Sequence, residues 1–467
     1  MGIGGIGVSG IAAILCQQGY TISGCDSSSN SKILENLSNI GCKIYFGHDV
    51  NHIKDVDVLV YSSALDKNHF EISAAVKKGI PVVPRAMMLA ELMRMKYSIA
   101  VAGAHGKTTT TSMISHILTE AKLDPTIVIG GVLKNISTHA KLGHGDLLIA
   151  EADESDRSFL YLNPSMAIVT NVDSEHLDTY KDLNDVKNSF KNFLERLPFY
   201  GKAFVCIDDK NTRDMLPVTN VRTIKYGLSK EANICGEVLE LEPTSSIFKV
   251  YIDGLFDVSL PNRIVNLGSI KINMPGEHNI LNALASISIA LELEIPFHVI
   301  KSALESFSGV ERRFEFKGFF KRADIFDDYG HHPTEIEKTL LIARNRAKKR
   351  LHVAFQPHRY TRTYRLWKDF VSVFANANID SLIFMDIYPA SEEPIPGITS
   401  DKLLQDISRV CPGIKAYYCS SYEEVEKYAR DIIKEEDLFL TIGAGKINCV
   451  CKWLIESENN IVKQTNY

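Results

Sequence analysis

The chain has 467 residues, of which 45% are hydrophobic and 23% charged, and its formal net charge is −5. This length predicts about three domains, and the composition is typical of a globular protein. The negative charge argues against nucleic-acid binding through whole-surface charge, no apolar run is long enough to span a bilayer, and nine scattered cysteines favour a reducing cytoplasm.

Short apolar runs alternate with helical patterns throughout, which predicts an α/β fold with parallel sheets. We predict three domains. Residues 1–97 form a Rossmann-like domain that opens with a glycine loop, residues 98–310 form a central domain with a phosphate loop and a parallel sheet, and residues 311–467 form a second Rossmann-like domain. In the central domain, alternating apolar and polar side chains over residues 230–273 predict a small antiparallel insertion.

The glycine loop of the first domain predicts a diphosphate site. Residues 2–7 match G-x-G-x-x-G, and an acidic residue follows at about the spacing that suits a ribose hydroxyl. Alone, the motif fits NAD, FAD or any diphosphate, but beside an ATP loop it favours a UDP-sugar. The candidate UDP-sugar ligands are Gly2, Gly4, Gly5, Gly7 and Asp26.

The start of the chain leads to a separate expectation. A glycine turn of this kind is delivered by a buried strand, whereas here Met1 directly precedes Gly2. We therefore expect the natural protein to begin roughly ten residues upstream, with an apolar strand of about 5–6 residues. The alternatives are that another segment fills this place or that the chain is a truncation with weakened UDP-sugar binding.

A phosphate loop opens the central domain. Residues 98–102 predict a buried strand, and the apolar face of residues 113–121 predicts a helix. In such a cradle the backbone N–H groups face ATP, Lys107 reaches the terminal phosphates and Thr108 binds Mg²⁺. Val101 stands where the motif expects its first glycine, so the alternative is a glycine turn with a solvated lysine. The ATP candidates are Gly103, Ala104, His105, Gly106, Lys107, Thr108 and Thr109.

Two further predicted strands end near this loop. Glu151 follows the strand at residues 146–150, and His176 follows the strand at residues 166–170. The carboxyl ends of parallel strands share one sheet edge, so we predict Glu151 as a Mg²⁺ ligand and His176 as part of a second metal position. Two Mg²⁺ ions would suit phosphoryl transfer. The alternatives are a solvated acidic loop and a structural histidine.

A long predicted helix and a domain boundary supply the remaining ATP candidates. Asn279 and Asn282 are three residues apart on one helical face, where their amides can bind a purine edge or, for Asn279, cap the helix. Arg313 lies at the second boundary, where an arginine can close onto phosphates. The alternative there is a solvated linker.

The third domain carries two polar loops, each after a predicted strand. Asp327 and Asp328 begin the first loop, which runs into a helix through Pro333. The second loop holds Arg359 and Arg362, a cationic pair suited to a carboxylate or phosphate. A solvated basic loop is the alternative interpretation.

In this order the motifs resemble the Mur ligase family from end to end. The resemblance implies a UDP-binding first domain, an ATP-binding central domain and a mobile C-terminal domain. Departures are Glu175, where the family usually has Asp, and Lys446, where an acidic residue is common. ATP and metal roles are implied for Lys107, Glu151, His176, Asn279, Asn282, Arg313, Asp327 and Asp328. Contacts with the incoming amino acid are implied for Tyr329, His331, His358, Arg359 and Arg362.

The implied activity is an ATP-dependent amide ligation in bacterial peptidoglycan synthesis. ATP would phosphorylate the lactyl carboxylate of UDP-N-acetylmuramate, and L-alanine would attack the acyl phosphate. His331 and His358 are the candidate general bases. The nearest alternative is a recycling ligase that adds a murein peptide to the same UDP-sugar; others are a folylpolyglutamate synthase, a nicotinamide-dependent dehydrogenase and a non-catalytic nucleotide-binding scaffold.

Overall fold

The computed structural model describes residues 1–27, 31–62, 64–133, 138–175, 179–218, 220–253, 264–390 and 392–465. The chain packs as two units, Met1–Val310 and Glu311–Tyr467. Within the described residues, no helix combines the length and the hydropathy that crossing a bilayer requires.

The first segment of unit one contains two separate parallel sheets of two strands each. Its elements are α1 (Ile6–Gln17), β1 (Ser23–Asp26), α2 (Lys32–Asn39), β2 (Lys43–Phe46), a 3₁₀ turn (Val50–Ile53), β3 (Leu59–Tyr61), α3 (Phe70–Lys77), β4 (Val82–Pro84) and α4 (Arg85–Arg94). β1 pairs with β2, and β3 pairs with β4. The Met1 amino group donates to the Val60 carbonyl at 2.7 Å, and the Gly2 N–H donates to the Cys25 carbonyl at 2.9 Å. The first two residues thus join the two sheets.

A ten-stranded sheet forms the rest of unit one. Its elements are β5 (Tyr97–Ala102), α5 (Lys107–Glu120), β6 (Thr126–Leu133), β7 (Thr138–Lys141), β8 (Leu147–Glu151), a 3₁₀ turn (Ser158–Tyr161), β9 (Met166–Val169), α6 (Leu183–Leu194), β10 (Lys202–Cys206), α7 (Lys210–Asp214), β11 (Arg222–Gly227), β12 (Ile234–Leu241), β13 (Ser246–Ile252), β14 (Val265–Ile272), α8 (Glu277–Glu292) and α9 (Phe297–Ser306). The strand order is β14-β13-β12-β11-β10-β9-β5-β8-β6-β7.

The pairing within this sheet confirms the predicted parallel core and antiparallel insertion. Strands β6, β8, β5, β9, β10, β11 and β12 pair in parallel, whereas β12, β13 and β14 pair antiparallel. Residues 99–102 of β5 are fully buried, because helices cover both faces of a parallel sheet. The apolar face of α5 packs into the same core through Met113, Ile114, Ile117 and Leu118.

Helices α1 and α4 attach the first segment to the large sheet. Ile11 and Ile14 of α1 and Leu89 of α4 share one hydrophobic core with Ala100 of β5. Burial of such side chains stabilises by about 1.5–3 kcal/mol each. This shared core explains why the glycine loop and the phosphate loop belong to one unit.

Unit two is a six-stranded sheet flanked by helices. Its elements are β15 (Glu315–Phe320), β16 (Ala323–Asp328), α10 (Pro333–Arg346), β17 (Leu351–Phe355), α11 (Tyr360–Arg365), α12 (Trp367–Asn376), β18 (Ser381–Met385), α13 (Ser400–Val410), β19 (Lys415–Cys419), α14 (Tyr422–Ile432), β20 (Leu438–Ile442) and α15 (Cys449–Thr465). The order is β15-β16-β20-β17-β18-β19, with only the β15–β16 pair antiparallel among the pairs described. The strands β16 and β17 therefore deliver both predicted polar loops to one edge.

Candidate active site

The phosphate loop is fastened to the residues that follow β9. The N–H of Ala104 donates to the Asn171 carbonyl at 3.1 Å, and the N–H of His105 donates to Asn171 Oδ1 at 2.8 Å. The Thr170 hydroxyl and the Asn171 amide both donate to the His105 carbonyl, at 2.6 and 2.9 Å. These bonds hold the loop in shape before any ligand binds.

Two glycines of the loop stand where a side chain would clash. Gly103 has φ +141°, and a Cβ there would lie 2.0 Å from Thr170 Oγ1. Gly106 has φ +83°, and a Cβ there would lie 2.5 Å from Asn282 Oδ1. Both positions combine a backbone conformation that favours glycine with close contacts, so the loop geometry depends on them.

Lys107 is ion-paired rather than exposed. Its Nζ lies 2.8 Å from both carboxylate oxygens of Glu154 and donates to the Gly103 carbonyl at 2.5 Å. The Lys107 side chain is 18% exposed, and that of Glu154 is 4% exposed. Burial acts to lower the pKa of Lys107, but Glu154 and Asp153 raise it above its usual value. Lys107 is therefore not the solvated lysine of the alternative interpretation, because a buried carboxylate lies within its reach.

Further acidic side chains line the same sheet edge. Glu151 ends β8 and is paired in register with Val101, two residues before the loop. His105 Nε2 lies 3.2 Å from Asp173 Oδ2, and His105 Nδ1 lies 3.8 Å from Glu175 Oε1. The predicted convergence of strand ends therefore occurs. His176 lies outside the described residues, and its role stays a prediction.

The two asparagines of α8 lie together, as their spacing predicts. Asn282 Nδ2 donates to Asn279 Oδ1 at 3.4 Å, and Asn279 Nδ2 donates to the Pro275 carbonyl at 2.8 Å. Asn282 Oδ1 accepts from the Thr110 hydroxyl at 3.2 Å. Both side chains are buried. They connect the start of α8 to the phosphate-loop helix α5, and contact with a purine stays a prediction.

The glycine loop of the first segment folds against Asp26. The Gly4 N–H donates to Asp26 Oδ2 at 2.8 Å, and a Cβ on Gly4 would lie 2.9 Å from the same oxygen. Helix α1 begins at Ile6 with Gly5 as its N-cap. Backbone N–H groups at a helix start form an anion site. The glycine loop and Asp26, the predicted ribose ligand, lie together beside this helix start.

Arg85 connects the glycine loop to the acidic loop that follows β8. A Cβ on Gly7 would lie 2.5 Å from Arg85 Nη1, so the guanidinium packs directly on the glycine loop. Arg85 Nη2 also lies 3.7 Å from Asp153 Oδ2, in the acidic loop after β8. Although burial raises the pKa of Asp153, Lys107 and bonds from Ser155 lower it below its usual value. The acidic loop therefore lies between two cations.

In unit two, Asp327 is fully buried between two donors. Arg312 Nε donates to its Oδ2 at 3.0 Å, and the Thr441 hydroxyl donates to its Oδ1 at 2.6 Å. Burial raises the pKa of Asp327, and Arg312 opposes that rise. Both carboxylate oxygens thus accept hydrogen bonds from neighbours, and the ATP role implied for Asp327 stays a prediction.

Asp328 and Arg313 flank the first polar loop. Asp328 accepts from the N–H groups of Phe314 and Gly330, each at 2.7 Å. Burial raises the pKa of Asp328 to about 6, against the opposing effect of Arg313. Arg313 Nη1 lies 3.5 Å from Glu335 Oε1, and its guanidinium lies 5.6 Å from the Tyr329 ring centre.

The aromatic candidates for the amino acid converge in unit two. The Tyr329 and His331 rings are 5.6 Å apart, the His331 and His358 rings are 6.0 Å apart, and His358 stacks on Tyr388 at 5.4 Å. Burial, Arg362 and Arg359 lower the pKa of His358 to about 4, and burial lowers that of His331 well below its usual value. Both imidazoles are therefore neutral near pH 7.

The two arginines of the second polar loop have different neighbours. Arg359 Nε donates to Glu392 Oε1 at 2.6 Å, and Thr361 donates to Glu392 through both its N–H and its hydroxyl. Arg362 Nη1 instead lies 3.4 Å from His358 Nδ1. Arg362 thus faces the aromatic cluster, while Arg359 is bound to a carboxylate of its own chain.

Four residues of these sites were missed in the sequence. They are Arg85, Glu154, Tyr388 and Glu392. Glu154 had a usable signal, because it lies three residues after Glu151 at the end of the same strand. The other three lie in stretches without a phosphate or glycine motif, and only the tertiary fold brings them to the loops.

Comparison with known proteins gives three family-model matches in chain order. Residues 1–97 match the Mur ligase family, catalytic domain. Residues 101–290 match the Mur ligase middle domain, and residues 312–445 match the Mur ligase, glutamate ligase domain. These matches confirm the predicted N-terminal, central and C-terminal organisation. The boundaries at 97/98 and 310/311 stay a prediction.

Individual relatives extend over almost the whole chain. A UDP-N-acetylmuramate–L-alanine ligase of Geotalea uraniireducens is 47% identical over 98% of this chain and 96% of its own. The crystal structure of UDP-N-acetylmuramate-alanine ligase from Thermotoga maritima has a TM-score of 0.79 at 25% identity and covers 98% of both chains. A murein peptide ligase from Psychrobacter arcticus shares the fold, with a TM-score of 0.69 at 22% identity and 98% coverage of both chains. The chain therefore belongs to the Mur ligase family.

Proposed function

We propose that the chain joins L-alanine to the lactyl carboxylate of UDP-N-acetylmuramate, with ATP as the energy source, in bacterial peptidoglycan synthesis. The observation that carries the proposal is the Arg85 bridge. It contacts Gly7 of the diphosphate-type loop and lies 3.7 Å from Asp153 of the acidic edge beside the phosphate loop. A UDP-sugar on one loop and ATP on the other would bring a carboxylate and a γ-phosphate together.

The phosphate loop supplies the groups that phosphoryl transfer needs. A carboxylate is a poor electrophile until its oxygen becomes a good leaving group, and phosphorylation makes it one. The lactyl oxygen attacks the γ-phosphorus, the bond to the β-γ bridging oxygen breaks, and ADP leaves. Lys107 stabilises charge on the transferring group. Because Lys107 is paired with Glu154 at 2.8 Å, nucleotide binding exchanges one anionic partner for another.

The sheet edge also fits the Mg²⁺ that the family implies. Mg²⁺ prefers carboxylate and hydroxyl oxygens, and Glu151 ends β8 beside the loop while Thr108 lies in the first turn of α5. We assign Thr108 and Glu151 as protein ligands, with His176 as a further candidate. When bound, Mg²⁺ neutralises phosphate oxygens. The proposed ATP contacts are completed by Asn279, Asn282, Arg313, Asp327 and Asp328. Asp327 also holds Arg312 through a hydrogen bond.

Unit two supplies the proposed alanine site. Arg362 holds the alanine carboxylate, because its guanidinium faces the aromatic cluster rather than Glu392. The rings of Tyr329, His331 and His358 limit the pocket to a small side chain. The low pKa values of both imidazoles make them acceptors for an N–H of the attacking amine. Alanine nitrogen then attacks the acyl carbon, and inorganic phosphate leaves.

The proposed place of action is the bacterial cytoplasm. All nine cysteines are free thiols, as expected of a protein in a reducing compartment. The proposed substrates ATP and UDP-N-acetylmuramate are nucleotides of that same compartment.

An isotope experiment tests the proposed reaction. UDP-N-acetylmuramate labelled with ¹⁸O in its lactyl carboxylate is incubated with ATP, Mg²⁺ and L-alanine, and both products are analysed by mass spectrometry. We expect one ¹⁸O atom in the released phosphate and an L-alanyl amide on the UDP-sugar. A labelled sugar recovered unchanged, or phosphate without label, contradicts the proposal.

A further inference from the structure

A second cluster of ligand-type side chains lies in the first segment, among residues with no role in the proposed reaction. Cys25 lies in β1, His48 follows β2, and Glu71 lies in the first turn of α3. Cys25 Sγ lies 3.5 Å from His48 Nδ1 and 3.6 Å from Glu71 Oε2, and His48 Nδ1 lies 2.7 Å from the same oxygen. Three potential metal ligands thus face one point.

The spacing of these three atoms approaches that of a tetrahedral zinc site. Zinc binds sulfur at about 2.3 Å and nitrogen or oxygen at about 2.0–2.2 Å, which separates tetrahedral ligands by about 3.5 Å for S and N and about 3.3 Å for N and O. The two distances from Cys25 already match. The His48–Glu71 distance of 2.7 Å is shorter by about 0.6 Å, so a small rotation of either side chain would admit the ion.

The charge of the cluster also favours a cation. Glu71 is fully buried. Within the part of the chain that the structure describes, it pairs with three histidines, His48, His52 and His69, at 2.7, 3.2 and 3.8 Å. A buried carboxylate is costly unless a cation or several hydrogen bonds compensate it. None of the three partners is a lysine or arginine. Besides the Met1 amino group, which acts on both Cys25 and Glu71, a divalent ion would supply a permanent positive charge.

The second oxygen of Glu71 is held in place by its neighbours. Oε1 accepts from the Asp49 N–H at 3.0 Å and lies 3.2 Å from His52 Nδ1. These contacts turn Oε2 toward Cys25 and His48, as outer partners orient the ligands of metal sites. The side chains of His48 and His52 are 20% and 17% exposed, which leaves a route from solvent.

We propose that the chain binds one divalent transition-metal ion, with zinc the best fit, through Cys25 Sγ, His48 Nδ1 and Glu71 Oε2. A thiolate, an imidazole and a carboxylate suit zinc better than Mg²⁺, and a water molecule completes the tetrahedron. The ion ties the end of β1, the loop after β2 and the start of α3 together.

Binding changes the protonation of the thiol. Burial and the Glu71 carboxylate raise the pKa of Cys25 to about 11, whereas a coordinated thiol is deprotonated. The step is therefore an exchange in which the ion binds sulfur and one proton leaves to solvent. No electron is transferred.

Cobalt titration tests this site without relying on activity. The metal-free full chain is titrated with Co²⁺ in the absence of nucleotide and followed by absorbance. We expect one equivalent to bind with a thiolate-to-cobalt charge-transfer band that Zn²⁺ abolishes and millimolar Mg²⁺ does not. Cys25→Ser should remove the band, and His52→Gln should weaken Zn²⁺ binding by about 10–100-fold. Cys42→Ser, which alters another buried cysteine of the same segment, is the matched control.

Three outcomes overturn the proposal: no stoichiometric Co²⁺ binding, a band that survives Cys25→Ser, or a band lost equally in Cys42→Ser. If Cys25→Ser does not fold, thiol alkylation of the wild-type chain decides, carried out in urea below the unfolding transition because the buried Cys25 thiol reacts only when its segment opens. Peptide mapping should then show that Zn²⁺ protects Cys25 but leaves the labelling of Cys449, a half-buried cysteine of unit two, unchanged. Equal labelling of Cys25 with and without Zn²⁺ contradicts the site. The result is independent of the proposed ligation, because nucleotide and alanine are absent.

Discussion

The phosphate loop of unit one and the polar loops of unit two follow parallel strands in the same way, but their side chains are in opposite electrostatic states. In the first, Lys107 is charged and paired with Glu154 at 2.8 Å. In the second, burial and Arg362 lower the pKa values of His331 and His358, so both rings are neutral. In the proposed function, Lys107 of the first region exchanges one anionic partner for another, and the imidazoles of the second accept an N–H of the amine.

This difference predicts different sensitivities. Removing the lysine from the first region leaves a buried carboxylate without its cation, so both function and stability suffer. Adding a proton to the second region places a charge beside Arg362, so low pH should damage it. Variants that act on one region without the other therefore separate the two halves of the proposed mechanism.

The largest effect is expected for Lys107→Met. Loss of the cation at the transferring phosphoryl group should lower kcat by about 10³-fold or more, measured as phosphate release. Because the buried Glu154 loses the cation at 2.8 Å, the free energy of unfolding should also fall, by about 3–5 kcal/mol, in a denaturant titration. The double variant Lys107→Met/Glu154→Gln should regain much of that stability but none of the activity.

Lys141→Met is the matched control for this prediction. Lys141 also forms a 2.8 Å ion pair, with Asp124, but both side chains are about one-third exposed or more. Loss of this exposed ion pair should change the free energy of unfolding by less than about 1 kcal/mol and leave kcat unaltered. Near-normal turnover of Lys107→Met would show that this loop is not the site of phosphoryl transfer.

A smaller effect, confined to one substrate, is expected for Arg362→Ala. Loss of a charged hydrogen bond of about 1.5–3 kcal/mol should raise the KM for alanine by about 10–100-fold and leave the KM for ATP unchanged. Arg359→Ala should raise the alanine KM less, because Arg359 is bound to Glu392. Equal changes in the KM values of both substrates would favour a phosphate-binding role for Arg362 instead.

The smallest effect concerns the pH dependence of stability through His358. Its folded pKa of about 4 lies below the unfolded value of 6.5, so the unfolded chain binds more protons between these values. The contribution of neutral His358 to the free energy of unfolding is therefore fully present above pH 6.5 and is lost as the pH falls toward 4. The free energy of unfolding falls by about 3 kcal/mol over this interval, because each unit of pKa difference between the folded and unfolded chain is worth about 1.36 kcal/mol.

Urea titrations of the wild type and of His358→Gln between pH 7 and pH 4 measure this contribution. The wild type should lose more stability than the variant over this interval, because glutamine does not titrate. Parallel curves for the two proteins would show that His358 is not held neutral in the folded chain.

Motif residues could be placed from sequence because their local geometry is nearly fixed. A strand, a glycine loop and a Lys-Thr pair allow few arrangements, so the loop at residues 103–109 and the helix α5 were predicted correctly. The antiparallel insertion followed from its period-two pattern, and it is seen in β12, β13 and β14. Asn279 and Asn282 were placed on one face for the same kind of reason.

The partners of these motifs could not be predicted, because they depend on packing between distant segments. Arg85 reaches Gly7 and Asp153 only because α1 and α4 pack on the large sheet. The pairing of Lys107 with Glu154 rather than with solvent depends on the path of the acidic loop after β8. Likewise, sequence spacing alone does not show which of Arg359 and Arg362 is available for a ligand. In the structure the two differ because Arg359 is bound to Glu392.

The central claim, that this chain ligates L-alanine to UDP-N-acetylmuramate, is tested most directly by phosphate release against a matrix of acceptors and amino donors. Acceptors are UDP-N-acetylmuramate and UDP-N-acetylglucosamine, and donors are L-alanine, glycine, L-serine and a murein tripeptide. We predict ATP-dependent phosphate release with UDP-N-acetylmuramate and L-alanine, little with the tripeptide, and none with UDP-N-acetylglucosamine, which has no lactyl carboxylate. Faster release with the tripeptide than with L-alanine, or release that requires no UDP-sugar, would contradict the account.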